Sequence, residues 1–104
     1  MNTTQLVAEL KEAGIDFNVK HFRYLPNGNL TLTYHHSKDK KVHGPKPEYL
    51  PRGGATIAEC SDYTLNGKHF NPVVVKAVCS KKDNFCFKAG YQLVIERLHK
   101  MILT

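Results

Sequence analysis

The sequence predicts an α+β fold: a helix, two β-hairpins forming a four-stranded antiparallel sheet, and a C-terminal helix, with both helices packed on one face. Three observations carry this expectation. Apolar residues recur at helical spacing at the two ends of the 104-residue chain. Between those ends they alternate with polar residues, as in half-buried strands. Two Asn-Gly pairs, at 27–28 and 66–67, sit where alternating runs meet, and Asn-Gly is a strong hairpin signal.

Each element has its own signature. Thr3 or Thr4 can cap a first helix whose apolar face is Leu6, Val7 and Leu10, with Ile15 beyond the stop at Gly14. Phe17 and Val19 then alternate in one phase and Phe22 and Tyr24 in the other, which predicts a bulge or twist near His21. After Asn27-Gly28, Leu30, Leu32 and Tyr34 alternate strictly with polar residues. Residues 37–54, SKDKKVHGPKPEYLPRGG, have three prolines, three glycines and little apolar content, so they read as a long basic loop. ATIAECSDYT resumes strand character, LNGK is the second turn, and HFNPVVVKAVC is the strand that returns, with Pro72 near its start. Ser80 stands three residues before Asp83, the spacing of a capping box, which predicts a helix over residues 81–102. Phe87, Gly90, Val94, Leu98 and Met101 or Ile102 form its apolar stripe, widened by Phe85, Leu93 and Ile95. A glycine inside that helix implies a close backbone approach to the sheet.

Length and composition fit a single domain over residues 1–104: 41% of residues are hydrophobic and 23% charged, which argues against a wholly disordered chain. No apolar run approaches the roughly 20 residues of a membrane-spanning helix, so no membrane contact is expected. Three cysteines without a CxxC pair, and no signal peptide, make a reducing cytoplasm the simplest home. The formal charge of +6 is uneven: residues 1–16 carry a net −2, whereas residues 37–52 and 81–100 carry +3 each. A polyanion is therefore one partner class to consider.

Catalytic and metal chemistry find little footing. His35 and His36 are adjacent, and Cys79 and Cys86 have six residues between them, which matches no paired zinc spacing. A Cys60–Cys79 disulfide is conceivable on neighbouring strands, though a reducing compartment disfavours it. Cys with His69 and Asp62, or His21 by itself, could supply a base, but no P-loop, Gly-x-Ser-x-Gly or His-Glu-x-x-His pattern occurs. No enzyme activity, metal or cofactor is expected. A binding surface built from basic residues has the better physical case: Lys38, Lys40, Lys41, Lys46 and Arg52 in the loop, and Lys81, Lys82 and Lys88 on the last helix. Lys81 and Lys82 would fall in its first turn, where free N–H groups favour phosphate. Tyr34, Tyr49 and Tyr63 could offer stacking surfaces. The same lysines would also suit a solvated helix end.

The stretch AVCSKKDNFCFKAGYQLVIERL, with RGGATIAEC upstream, resembles a C-terminal pattern of small, mostly uncharacterised accessory proteins of tailed bacteriophages. The matching positions are Cys79, Ser80, Asp83, Phe85, Lys88, Gly90, Arg97 and Leu98, and LVAELKEAGIDFNVKHFRY is similar to the opening of some members. Val94 departs from the pattern, standing where a small residue usually follows Gly90. The resemblance implies a protein of the bacterial host's cytoplasm that binds and inhibits or modulates a host protein, in host takeover or counter-defence. A looser similarity in layout, helix, antiparallel strands and then Ser-Lys-Lys before a last helix, is to double-stranded-RNA-binding domains. It implies the alternative partner, DNA or RNA. The partner's identity and the oligomeric state stay open.

Overall fold

The computed structural model describes residues 2–33 and 48–103. The elements run α1 (Thr3–Glu12), β1 (Phe17–Tyr24), β2 (Leu30–Leu32), β3 (Arg52–Cys60), β4 (Tyr63–Leu65), β5 (Lys68–Phe70), β6 (Val73–Asn84) and α2 (Phe87–Leu103). The expected α+β architecture is present. A four-stranded antiparallel sheet has the order β2-β1-β3-β6, and α2 lies across one of its faces with α1 packed beside it.

Local chemistry sets the ends of α1. Asn2, one residue before the expected threonines, is the N-cap: its side chain accepts from the Gln5 N–H while Gln5 answers to the Asn2 N–H. This reciprocal pair satisfies two otherwise orphaned donors. At the other end Gly14, at φ +79°, lets its N–H reach the Lys11 carbonyl and the Ile15 N–H reach that of Leu10. This pair of hydrogen bonds closes the helix and folds Ile15 back into the core.

The sheet differs from the expectation in three places. First, β1 has no bulge; its register against β3 is continuous from Phe17↔Cys60 to Phe22↔Ala55. The apolar residues change phase because Phe17, Val19, His21 and Arg23 all face the helix side, where His21 and Arg23 lie under aromatic rings rather than aliphatic core. Second, β3 and β6 pair, but the Asn66-Gly67 turn between them belongs to a separate ribbon of β4 and β5. Both turn residues have positive φ, 53° and 77°, the geometry of a tight hairpin. Third, residues 52–54, expected in the basic loop, open β3, and the strand ladder replaces the proposed capping box.

That last change moves the helix start. β6 runs on to Asn84, and residues 80–83 stand as an excursion opposite the single Gly53, between the pairs Gly54↔Cys79 and Arg52↔Asn84. Ser80 Oγ accepts from the Lys82 N–H at 3.2 Å rather than from a helical donor, and the Phe85 N–H donates to the Pro51 carbonyl at 2.9 Å. The Cys79 thiol points into the excursion, with the carbonyl oxygens of Ser80, Asp83 and Asn84 each at 3.6 Å. α2 therefore opens after Cys86, whose carbonyl accepts the Gly90 N–H. Gly90 lies in its first turn rather than at mid-helix.

The core lies between α1, α2 and the helix face of the sheet. Leu6, Leu10, Ile15, Val94, Ile95, Leu98 and Ile102 meet Ala58, Cys60, Val75 and Ala77. Of the expected stripe Phe87 and Leu93 are exposed, Ile102 rather than Met101 takes the last position, and His99 is buried as well. Its Nε2 lies 3.3 Å from a Glu9 carboxylate oxygen, where α2 meets α1. No helix among the described residues is long and apolar enough to cross a membrane.

The expected close approach at Gly90 is present: a Cβ there would overlap Thr56 Oγ1. Thr56 cannot swing away freely, because that hydroxyl is hydrogen-bonded to His21 Nδ1 at 2.9 Å. Gly90→Ala should therefore destabilise the protein by about 1–3 kcal/mol, despite the better helix propensity of alanine, and Gly90→Leu by more. Thermal denaturation checks this; an unchanged or raised midpoint for both variants would contradict the seating of α2 on β3.

Candidate functional site

Strand alternation puts Asn18, Lys20, Phe22 and Tyr24 of β1, Leu30 and Leu32 of β2, Ala55, Ile57 and Glu59 of β3, and Val74, Lys76 and Val78 of β6 on the face away from the helices. The register lines them up in rows. Leu32, Phe22, Ala55 and Val78 form one row across all four strands; Lys20, Ile57 and Lys76 form the next. Leu30, Leu32, Val74 and Val78 remain 47%, 48%, 62% and 69% exposed. An antiparallel sheet often turns one face to water, but its outward residues are then mostly polar. Here that face is apolar with charges set into it, and Lys20 pairs with Glu59 at 3.7 Å. The exposed apolar side chains stand on the two outer strands, β2 and β6, with half-buried Phe22 and Ile57 and buried Ala55 between them, and exposed apolar side chains gathered on one face mark an interaction site.

A second feature sits at the end of the sheet. A cleft of about 290 Å³ is lined by Tyr24, Gly28, Leu50, Pro51, Arg52 and Lys81. The Lys81 ammonium lies 5.0 Å from the centre of the Tyr24 ring. Gly53 permits this arrangement, since a Cβ there would come within 3.1 Å of that ring. Of the basic residues expected to act together, the structure brings Arg52 and Lys81 to one cleft. Lys82 is exposed on the excursion, and Lys88, rather than Lys81 or Lys82, is in the first turn of α2. Placing Lys81 and Lys82 at a helix start was therefore incorrect, because pairing of Asn84 with Arg52 keeps that segment in β6. Lys38, Lys40, Lys41, Lys46, Tyr34, His35 and His36 lie outside the described residues.

The other two tyrosines are already engaged. Tyr63 stacks on Phe70 with centroids 5.1 Å apart and packs against the core, and Tyr49 lies 5.4 Å from the Arg23 guanidinium. Asp62 and His69 approach to 3.4 Å with both side chains about 60% exposed, on the β4–β5 ribbon. All three cysteines are free thiols, Cys60 buried in the core, Cys79 half-buried and Cys86 exposed. Among the described residues no cluster of three or more His, Cys, Asp or Glu side chains could hold a metal ion.

The group that sequence reasoning missed is Arg23. Its guanidinium is within 5.3–5.7 Å of the ring centres of Tyr49, Phe85 and Phe87, and one of its N–H groups donates to the Leu50 carbonyl at 3.0 Å. His21 meets Phe87 edge-on at 4.9 Å, and Phe85 meets Phe87 likewise at 4.9 Å. The signal was an arginine at a position whose parity faces the helices. Comparisons with protein-family models, curated proteins and solved structures found no match for this chain.

The Arg23 cluster anchors the segment ahead of β3, and with it the wall of the basic cleft. Arg23→Lys keeps the charge but loses the planar group that faces the three rings. It should lower stability by about 1–2 kcal/mol. Parent-like melting of this variant would mean that the rings hold one another without the guanidinium.

Proposed function

We propose that this chain is a small phage-type accessory protein that acts by binding rather than by catalysis. It engages a host protein in the bacterial cytoplasm and inhibits or modulates it. The observation that carries this reading is the open sheet face, where Leu30, Leu32, Val74 and Val78 stay exposed on the same face as Phe22 and Ile57. Covering such a face removes apolar area from water at about 25 cal/mol per Å², and the small polar share of its rows, Lys20 with Glu59 and Lys76, supplies orientation. The resemblance of the segment from Cys79 to Leu98 to phage accessory proteins supports the same class.

A tagged protein expressed in a bacterial host should recover one stoichiometric partner after nuclease treatment. Leu32→Glu, which places a charge on the open face of an edge strand, should abolish recovery while leaving the fold intact. An empty pull-down, or a partner retained equally by Leu32→Glu, would count against this reading.

A second reading, nucleic-acid binding, draws on the cleft where Arg52 and Lys81 flank Tyr24. There an aromatic ring and two cations lie together as in single-strand binding grooves. It predicts that affinity for a generic strand falls steeply with salt, and that Lys81→Glu with Arg52→Glu removes it. Absence of any shift at low salt would eliminate it.

A further inference from the structure

β6 is the last strand of the sheet, and among the described residues no strand pairs with its outer side. The Lys76 carbonyl is taken by the Arg97 guanidinium of α2, so the Lys76 backbone groups point away from β3. In an antiparallel ladder the N–H and C=O of one residue point the same way and the direction alternates along the strand. Those of Val74 and Val78 therefore point outward too. The same three residues present their side chains on the open face, giving the edge a pattern of apolar, basic, apolar at every second position. Beside it, between β6 and α2, runs a groove of about 460 Å³ lined by Val74, Val75, Lys76, Arg97, Lys100 and Met101, with Met101 61% exposed.

We propose that this edge accepts an extended segment of the partner protein as a fifth strand. Apolar residues of that segment stand opposite Val74 and Val78, and an acidic residue stands opposite Lys76. The proposal rests on the protein-binding reading above and names the chemistry of the partner. Backbone hydrogen bonds to Val74, Lys76 and Val78 supply affinity and the cross-strand pairs supply selectivity. The intervening side chains of the added strand project toward α2, over Arg97 and Met101. When a partner N–H takes the Lys76 carbonyl, the Arg97 guanidinium is released to meet a carboxylate on that side. Charge selects this occupant over a second copy of the chain. Two β6 edges related by a two-fold axis at Lys76 would set lysine directly against lysine, in a protein of net charge +6, and like charges directly opposite are destabilising.

The test uses the full chain and fluorescent peptides with the alternating core Val-Thr-Glu-Thr-Val, or with Lys in place of Glu. Anisotropy should show the Glu peptide binding about tenfold more tightly than the Lys peptide, and Lys76→Glu should reverse that preference. Amide hydrogen exchange should slow at Val74, Lys76 and Val78 on binding. Val78→Pro should bind neither peptide yet melt close to the parent, since its N–H faces outward, where proline is tolerated. Equal affinity for both peptides, no reversal by Lys76→Glu, or no protection of those amides overturns the proposal, and the first two criteria hold even if Val78→Pro fails to fold. Protection of the same amides without peptide, with a dimer in sedimentation, overturns it in favour of self-pairing. If both peptides fail while a host partner is still recovered and lost with Leu32→Glu, the edge proposal falls and the protein-binding reading stands.

Discussion

The contact between Gly90 and Thr56 is the constraint on which the helix side of the molecule depends. Thr56 is buried in a central strand and its hydroxyl is held by His21, so it is a fixed post rather than a movable side chain. α2 rests on it where it has no side chain of its own. The helix face of β3 is correspondingly small, Gly54, Thr56, Ala58 and Cys60 at successive alternate positions. A close helix leaves little depth over that strand. The apolar volume must then come from the helices, where Leu10, Val94, Ile95 and Leu98 are fully buried between α1, α2 and the sheet.

Seating the helix there imposes a second requirement. β6 is the edge strand, yet the first turn of α2 must lie over β3, so the chain has to return across the sheet between Cys79 and Phe87. Residues 80–83 provide the slack, Gly53 makes room beside Lys81, and Gly54 makes room for Phe85, which lies under Arg23. Lys81 arrives above Tyr24 as a consequence of this crossing. The basic cleft is thus a product of how the last helix is reached.

Most of the architecture was legible because it is written in short-range terms. Gly14 after an apolar stripe ends α1, Asn27-Gly28 joins β1 to β2, and a glycine in an apolar helix marks a close approach. The start of α2 was not legible, because Ser80 and Asp83 have the right local spacing while a long-range pairing, Asn84 with Arg52, decides their conformation. The phase change at His21 misled for a related reason. Alternation shows which residues share a face, but the chain fills the helix side of β1 with His21 and Arg23 and the solvent side with Phe22 and Tyr24, reversing the usual assignment. The open face could not be read for the same cause: exposed valines and leucines look like core until register and helix placement are known. Four of the eight basic residues singled out, Lys38, Lys40, Lys41 and Lys46, lie outside the described residues, whereas Arg52 and Lys81 share a cleft that no local pattern announces.

An edge strand flanked by exposed valines is a hazard, since its unpaired backbone groups and apolar side chains together invite edge-to-edge association. Two residues restrain this edge. Lys76 puts a charge at its centre, where a copy of the same strand paired about Lys76 would set it against its equivalent, and Arg97 occupies the carbonyl that an incoming N–H would need. Neither device blocks a strand of complementary charge: a carboxylate opposite Lys76 gains the interaction that a second lysine forfeits, and a carboxylate on the helix side of the added strand gives the displaced guanidinium a new acceptor. A polar residue in place of Lys76 would weaken both effects together. Protection from self-association and selection of an acidic partner are therefore one property of the same position, and tuning that position for one necessarily changes the other.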